Sequence, residues 1–276
     1  MGLEIMLQEH FNLNIPELSR EEIFLLSAEN RMKNYNSSER SAEDYDCPKC
    51  QNRRSTMEIR EGNSVFVACE CSDIITLIRQ RKKLGITQGQ ERYTFERFRA
   101  KDPWQKQLLA LAKEFAQSKG EEWLFLGGQC GSGKTHLATA AFFALTDEGK
   151  SGRFLSWSDT LNAYREGPAG ESWKEILEAV KQVDVLLFDD IFRPVMDRGE
   201  IAPPDKMEQR MFQQIMDYRY NNRGITILTS ERHLGEIQEF NRSMGGRIRE
   251  RCQKFMLNIK NDPLRDYRSY SEQATE

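Results

Sequence analysis

The chain has 276 residues, 38% of them hydrophobic, with a formal net charge of -3. That length suffices for a real core and for more than one domain, and the charge excludes a global field toward nucleic acid or membrane, leaving room only for a local basic face. No apolar run can span a bilayer and Met1-Gly2-Leu3-Glu4-Ile5 has no secretion-signal pattern, so a cytoplasmic protein without a membrane partner is expected.

In chain order, Ser19-Arg20-Glu21-Glu22 is a capping box, with Leu18 and Ile23 placed for a hydrophobic staple. A helix is predicted over 20–32 and a polar linker over 34–46. Cys47-Pro48-Lys49-Cys50 and Cys69-Glu70-Cys71 then frame eighteen residues, with hairpin strands at 58–59 and 65–68 and a turn at Glu61-Gly62-Asn63. Two thiolate pairs on a short hairpin suit a tetrahedral zinc ion held by Cys47, Cys50, Cys69 and Cys71, although the second pair has one intervening residue instead of two. So short a unit lacks a sufficient core, and ligation worth roughly 10–16 kcal/mol would supply the missing folding energy. Four buried free thiols or a redox pair are the alternatives.

A helix is predicted over 74–84, ending at Gly85, and a second linker follows. Trp104, Leu108, Leu111, Ala112 and Phe115 form a helical stripe. Beyond it, apolar strands at 123–126, 153–157, 183–188, 225–229 and 255–259 alternate with helical segments, the pattern of a parallel sheet covered on both faces. Met207, Met211, Ile215 and Tyr218 mark a helix face that reads as core.

The first strand runs into Gly128-Gln129-Cys130-Gly131-Ser132-Gly133-Lys134-Thr135, a complete G-x-x-x-x-G-K-[ST] phosphate loop, and the next residues from His136 onward read as helix. Backbone N–H groups of such a loop curl round an anion and the helix N-terminus adds positive dipole. Lys134 supplies charge for the outer phosphates and the Thr135 hydroxyl can bind magnesium. Gly128, Gly131, Ser132, Gly133, Lys134 and Thr135 are thus the expected nucleotide contacts. His136 is counted with them as packing beside the loop.

The third strand ends in Asp189-Asp190. After a phosphate loop this is where a magnesium partner, Asp189, and a water-orienting base, Asp190, belong. An aspartate is one methylene shorter than the glutamate more usual at that second place, so slow turnover is expected. Met244-Gly245-Gly246-Arg247-Ile248-Arg249-Glu250-Arg251 precedes the last strand, with Arg247 and Arg251 on one helix face. By composition alone this is a solvated charged face.

These segments together resemble the replicative helicase loaders of the DnaC/DnaI type, AAA+ ATPases of bacteria and phages. The resemblance is carried by Tyr93-Thr94-Phe95-Glu96-Arg97-Phe98, Gly133-Lys134-Thr135-His136-Leu137-Ala138, Leu187-Phe188-Asp189-Asp190, Leu228-Thr229-Ser230-Glu231-Arg232 and Gly246-Arg247-Ile248-Arg249-Glu250-Arg251. It implies an α/β fold with a five-stranded parallel sheet, the loop strand lying between the neighbour of the acidic strand and the sheet edge, and no C-terminal lid. The expected division is 1–84 for an N-terminal helix and zinc module that grips the helicase, 85–92 for a linker, 93–260 for the ATPase and 261–276 for a polar tail. The resemblance also implies ATP or ADP with Mg²⁺ as cofactors, self-association, and delivery of the helicase onto single-stranded DNA. Lys134, Asp190 and Arg247 would be catalytic. Arg247 resembles a finger acting on a neighbour's nucleotide, a role worth roughly 10³–10⁵ in rate. The 93–98 segment would lie at the adenine. Glu231 stands where many loaders carry Asn, which leaves its role at the γ-phosphate open.

A transposition helper ATPase of the IstB type shares nearly all these motifs, and the cysteine unit favours the loader. A small-molecule kinase has the loop but lacks the trans arginine and usually needs a mobile lid. A zinc-dependent nucleic-acid binder with a vestigial ATP site is a third reading.

Overall fold

The computed structural model describes residues 19–38, 46–86, 89–118, 120–166, 171–262 and 265–266. Contacts divide the chain between Gln80 and Arg81 into two units. Among the described residues no helix is long and apolar enough to cross a membrane.

The first unit opens with α1 (Arg20–Ser37). The Ser19 hydroxyl accepts the Glu22 N–H at 3.2 Å and the Glu22 carboxylate accepts the Ser19 N–H at 2.7 Å, which is the expected capping box. Leu18, the other half of the staple, lies outside the described residues. The helix outruns its expected end and takes in residues 34–37 of the expected linker. The cause is tertiary: the Asn36 side chain donates to Met57 O and accepts from Met57 N, each at 2.9 Å, so it pairs β1 (Ser55–Arg60) as backbone would. β1 joins β2 (Asn63–Ala68) in an antiparallel hairpin. Its turn residues Glu61 and Gly62 both have positive φ, 51° and 77°, the conformation that matches strand twist. α2 (Cys71–Lys83) follows and contains the boundary between the units.

In the second unit, α3 (Pro103–Gln117) precedes β3 (Trp123–Gly128), α4 (Lys134–Asp147) and β4 (Gly152–Ser156). Next come α5 (Trp157–Glu166), α6 (Glu171–Lys181) and β5 (Val185–Asp189). A short antiparallel pair, β6 (Val195–Asp197) and β7 (Glu200–Ala202), leads to α7 (Lys206–Asn221). The chain then forms β8 (Ile225–Ser230), α8 (Leu234–Phe240), α9 (Arg242–Cys252) and β9 (Met256–Ile259). Five strands form one parallel sheet in the order β4-β5-β8-β3-β9, so the loop strand β3 lies between β8 and the edge strand.

Side-chain alternation explains why β3 and the first four residues of β5 are apolar. Trp123, Phe125, Leu186 and Phe188 enter the core formed with α5, α7, α8 and α9. Leu124, Leu126, Val185 and Leu187 enter the other, formed with α3 and α4. Each fully buried side chain of this size contributes about 1.5–3 kcal/mol. Of the Met stripe, Met211 and Ile215 are buried, joined by Phe212 and Met216.

Arg219 on α7 is 2% exposed. Its guanidinium donates to the carbonyls of Val180, Val183, Asp184 and Ile225, at 3.2, 2.6, 2.8 and 2.5 Å. It thereby takes the backbone that the sequence pattern assigned to the start of the acidic strand, and β5 begins at Val185 instead of 183. Part of the expected 85–92 linker is built into the second unit. Leu84 O accepts the Phe154 N–H at 2.7 Å, residues 90–92 form a 3-10 turn, and Glu91 is buried with its carbonyl held by Arg81 at 3.0 Å.

Candidate nucleotide and metal sites

β3 delivers the phosphate loop at the carboxyl end of the sheet. Gly128 turns it with φ 101°, and a Cβ there would sit 2.0 Å from Ile259 O, so the position admits only glycine. At Gly133, φ 87°, a Cβ would meet the Phe98 ring at 2.6 Å. The Ser132 hydroxyl donates to Gln129 O at 2.7 Å and fixes the loop from within. The Lys134 ammonium donates to Gly128 O at 2.8 Å and Gln129 O at 2.7 Å, and burial pulls its pKa down. Two tail residues fold back on the loop: Asp262 N donates to Gln129 Oε1 at 3.2 Å, and the Asp266 carboxylate packs against Gly131.

β5 ends beside it. Asp189 is buried, and its carboxylate accepts the Thr229 hydroxyl at 2.7 Å and a bond from the Thr135 hydroxyl. Burial pushes Asp189 above the usual carboxylate range, while those two hydroxyls and Lys134 act in the opposite direction. Thr135 and Asp189 thus converge as oxygen donors of the kind magnesium takes. Asp190 adopts φ 59° and donates its N–H to Thr229 Oγ1 at 2.8 Å. Burial, then the charge of Glu231, push its carboxyl up to about 6, against the pull of Arg193. Arg193 Nε stands 3.5 Å from Asp190 Oδ2.

These groups line one cavity of 390 Å³, which brings Gly131, Gly133, Lys134, Thr135, His136, Asp189, Asp190 and Glu231 together with Thr229 and Arg193. Its remaining wall is aromatic. Tyr93 stacks on His136 at 4.6 Å with an 8° interplanar angle, and Phe98 meets the same ring edge-on at 5.4 Å. The His136 Nε2–H donates to Thr94 O at 2.8 Å, and burial lowers its pKa, which favours the neutral imidazole. Cys130 is half-buried on the same cavity.

Gly128 and Ser132 shape the loop from outside the lining. Arg247 is not among the lining residues either. It lies on α9, paired with Asp217 of α7 and 5.4 Å over the Tyr220 ring. Thr229, Arg193 and Gln90 also line the cavity, although no motif in the sequence marks them as site residues. Thr229 is signalled only by its place at the end of a strand neighbouring the acidic one, and Gln90 fell in an expected linker.

In the first unit the Sγ atoms of Cys47, Cys50, Cys69 and Cys71 all lie within 4.8 Å of one another and are buried. The Cys47–Cys69 and Cys50–Cys71 separations are 3.8 and 3.4 Å. A tetrahedron of thiolates about 2.3 Å from zinc has edges of about 3.8 Å, so the donor set fits a four-coordinate ion. β1 and β2 bring the pairs together: the hairpin pairs Ser55 with Ala68, one residue before Cys69.

Residues 74–268 match the family of IstB-like ATP binding proteins. The chain is 29% identical over 210 residues to the uncharacterized protein YqaM of Bacillus subtilis (strain 168), covering 71% of this chain and 64% of that one, less than two thirds of its length. It is 26% identical over 178 residues to the replicative helicase loader DnaC of Escherichia coli (strain K12), covering 63% of this chain and 68% of that one. The crystal structure of DnaI shares its fold, with a TM-score of 0.50, 20% identity, and coverage of 63% of this chain and 94% of that one.

Proposed function

The chain belongs to the family of IstB-like ATP-binding proteins, and from that premise we propose that it is an ATP-hydrolysing loader that delivers a replicative helicase onto single-stranded DNA. The observation that carries the ATPase part is the convergence of Lys134, Thr135, Asp189 and Asp190 on one cavity. ATP enters with its phosphates on the loop and its base toward Tyr93 and Phe98. Held by Thr135 and Asp189, magnesium would neutralise phosphate charge. Asp190 orients the attacking water; its oxygen bonds to the γ-phosphorus as the bond to the bridging oxygen breaks. ADP leaves with the bridging oxygen, and the water's proton passes to Asp190. Glu231 raises the proton affinity of that base.

ATP bridges subunits in this reading, with Arg247 of one chain reaching a neighbour's phosphates after leaving Asp217. Cys47, Cys50, Cys69 and Cys71 would hold zinc, and the ligation would stiffen the first unit. That unit grips the helicase, and α1 offers Ile23, Phe24, Leu25 and Leu26, all exposed, as an apolar contact. The likeness to DnaC supports the helicase as cargo.

The family's name favours a second reading, a transposition helper. Co-purification from the native host with and without ATP separates the two. Recovery of a hexameric helicase is expected, and a transposase recovered alone would replace the loader reading.

A further inference from the structure

The segment after β5 is more tightly built than a loop between a strand and a helix needs. Asp190 and Phe192 both have positive φ, 59° and 55°, a conformation costly for side chains with a Cβ. Both are held there. Asp190 N donates to Thr229 Oγ1 at 2.8 Å and Ile191 N to Thr229 O at 2.9 Å. Ile191 O accepts the Ser230 hydroxyl at 2.7 Å, and Phe192 O accepts Nε of the buried Arg232 at 2.8 Å. The Phe192 ring is fully buried, with Phe212 at 4.7 Å and Phe240 at 5.2 Å. Four hydrogen bonds and an aromatic box therefore fix two strained residues, and the residue they carry forward is Arg193.

Arg193 is exposed, so its pair with Asp190 contributes little stability and cannot account for the strain. What the strain achieves is a guanidinium on the wall of the cavity that holds Lys134 and Thr135. The contact with Asp190 is made by Nε, and a guanidinium has four further N–H groups with which to grip a second anion.

We propose that Arg193 is a catalytic cation for the terminal phosphate of the nucleotide, supplied by the same chain and tied to Asp190. It contacts the γ-phosphoryl oxygens through Nη while Nε keeps the Asp190 carboxylate aimed at the attacking water. The role differs from that of Arg247, which requires a neighbouring subunit. It rests on the reading of this cavity as an ATP site with Asp190 as its base.

The test uses the full chain with Arg193→Ala, Arg193→Lys and Asp190→Ala. Affinities for ADP and for the β,γ-methylene analogue of ATP are measured by calorimetry, with kcat and KM for ATP. Arg193→Ala is expected to weaken the analogue about tenfold or more and leave ADP unchanged, because a charge-assisted bond to the third phosphate is lost. Its kcat falls, and Arg193→Lys recovers part of both, since lysine restores charge without the planar fork. Equal loss for ADP and analogue, or no loss for either, overturns the assignment. Wild-type turnover by Asp190→Ala would instead sink the underlying reading, and Arg193 with it.

Discussion

The Thr229 hydroxyl donates a 2.7 Å hydrogen bond to the Asp189 carboxylate, across forty residues of sequence and between neighbouring strands. The same oxygen accepts the N–H of Asp190 at 2.8 Å, so one side chain of β8 orients both acids at the end of β5.

Replacing Thr229 by Val keeps the shape and removes the donor. Losing that bond to a buried carboxylate is expected to cost about 1–3 kcal/mol. Magnesium-dependent ATP turnover should fall, while Thr229→Ser stays near the wild type. Steady-state kinetics over a magnesium titration reads both, and an unaffected Val variant would remove Thr229 from the site.

Arg247 forms an ion pair with Asp217 of its own chain, so action on a neighbour requires that pair to open. Turnover per chain should rise with protein concentration in the wild type. Arg247→Ala should lower it by roughly 10³ or more and abolish that dependence. Asp217→Asn should preserve turnover. Activity independent of concentration in every variant would rule out a shared site.

Arg219 secures four backbone carbonyls at the entry to β5 and β8. Burial draws its pKa down to about 10, still far above neutral, so it stays charged. Arg219→Leu would orphan those carbonyls at about 1–3 kcal/mol each, and a loss of at least about 3 kcal/mol is expected. Urea unfolding monitored by tryptophan fluorescence measures it. A midpoint like that of the wild type would contradict the role.

Metal analysis of the purified chain should give one zinc per chain, lost in Cys50→Ser. Ligation worth roughly 10–16 kcal/mol means that chelation should loosen the first unit. Hydrogen exchange across 47–71 would report this, and zinc-free protein with full protection there would leave the thiols as packing.

Much of the fold was legible because its causes are local. In β3 and in residues 185–188 of β5 uninterrupted apolar residues reflect burial on both faces, and these strands lie within two residues of their expected positions. The glycine spacing around Lys134 and the thiol spacing around Cys47 and Cys69 are short-range chemistry of the same kind. Other features were illegible for the opposite reason. Asn36 reads as a linker residue until Met57 lies beside it, and nothing in the sequence around Arg219 announces the four carbonyls that surround it.

The sequence by itself determined the phosphate loop, the paired acids, the four-cysteine unit and the alternation of strand and helix, since each is a pattern over a few neighbouring residues. Tertiary structure alone decided that Thr229 holds Asp189 and Asp190, that Tyr93 stacks on His136, that Arg193 faces the cavity and that Arg247 is held by Asp217. The first of those contacts depends on β5 and β8 being neighbours in the order β4-β5-β8-β3-β9. Strand order is set by how two cores pack on opposite faces of one sheet, a long-range outcome that no local pattern encodes.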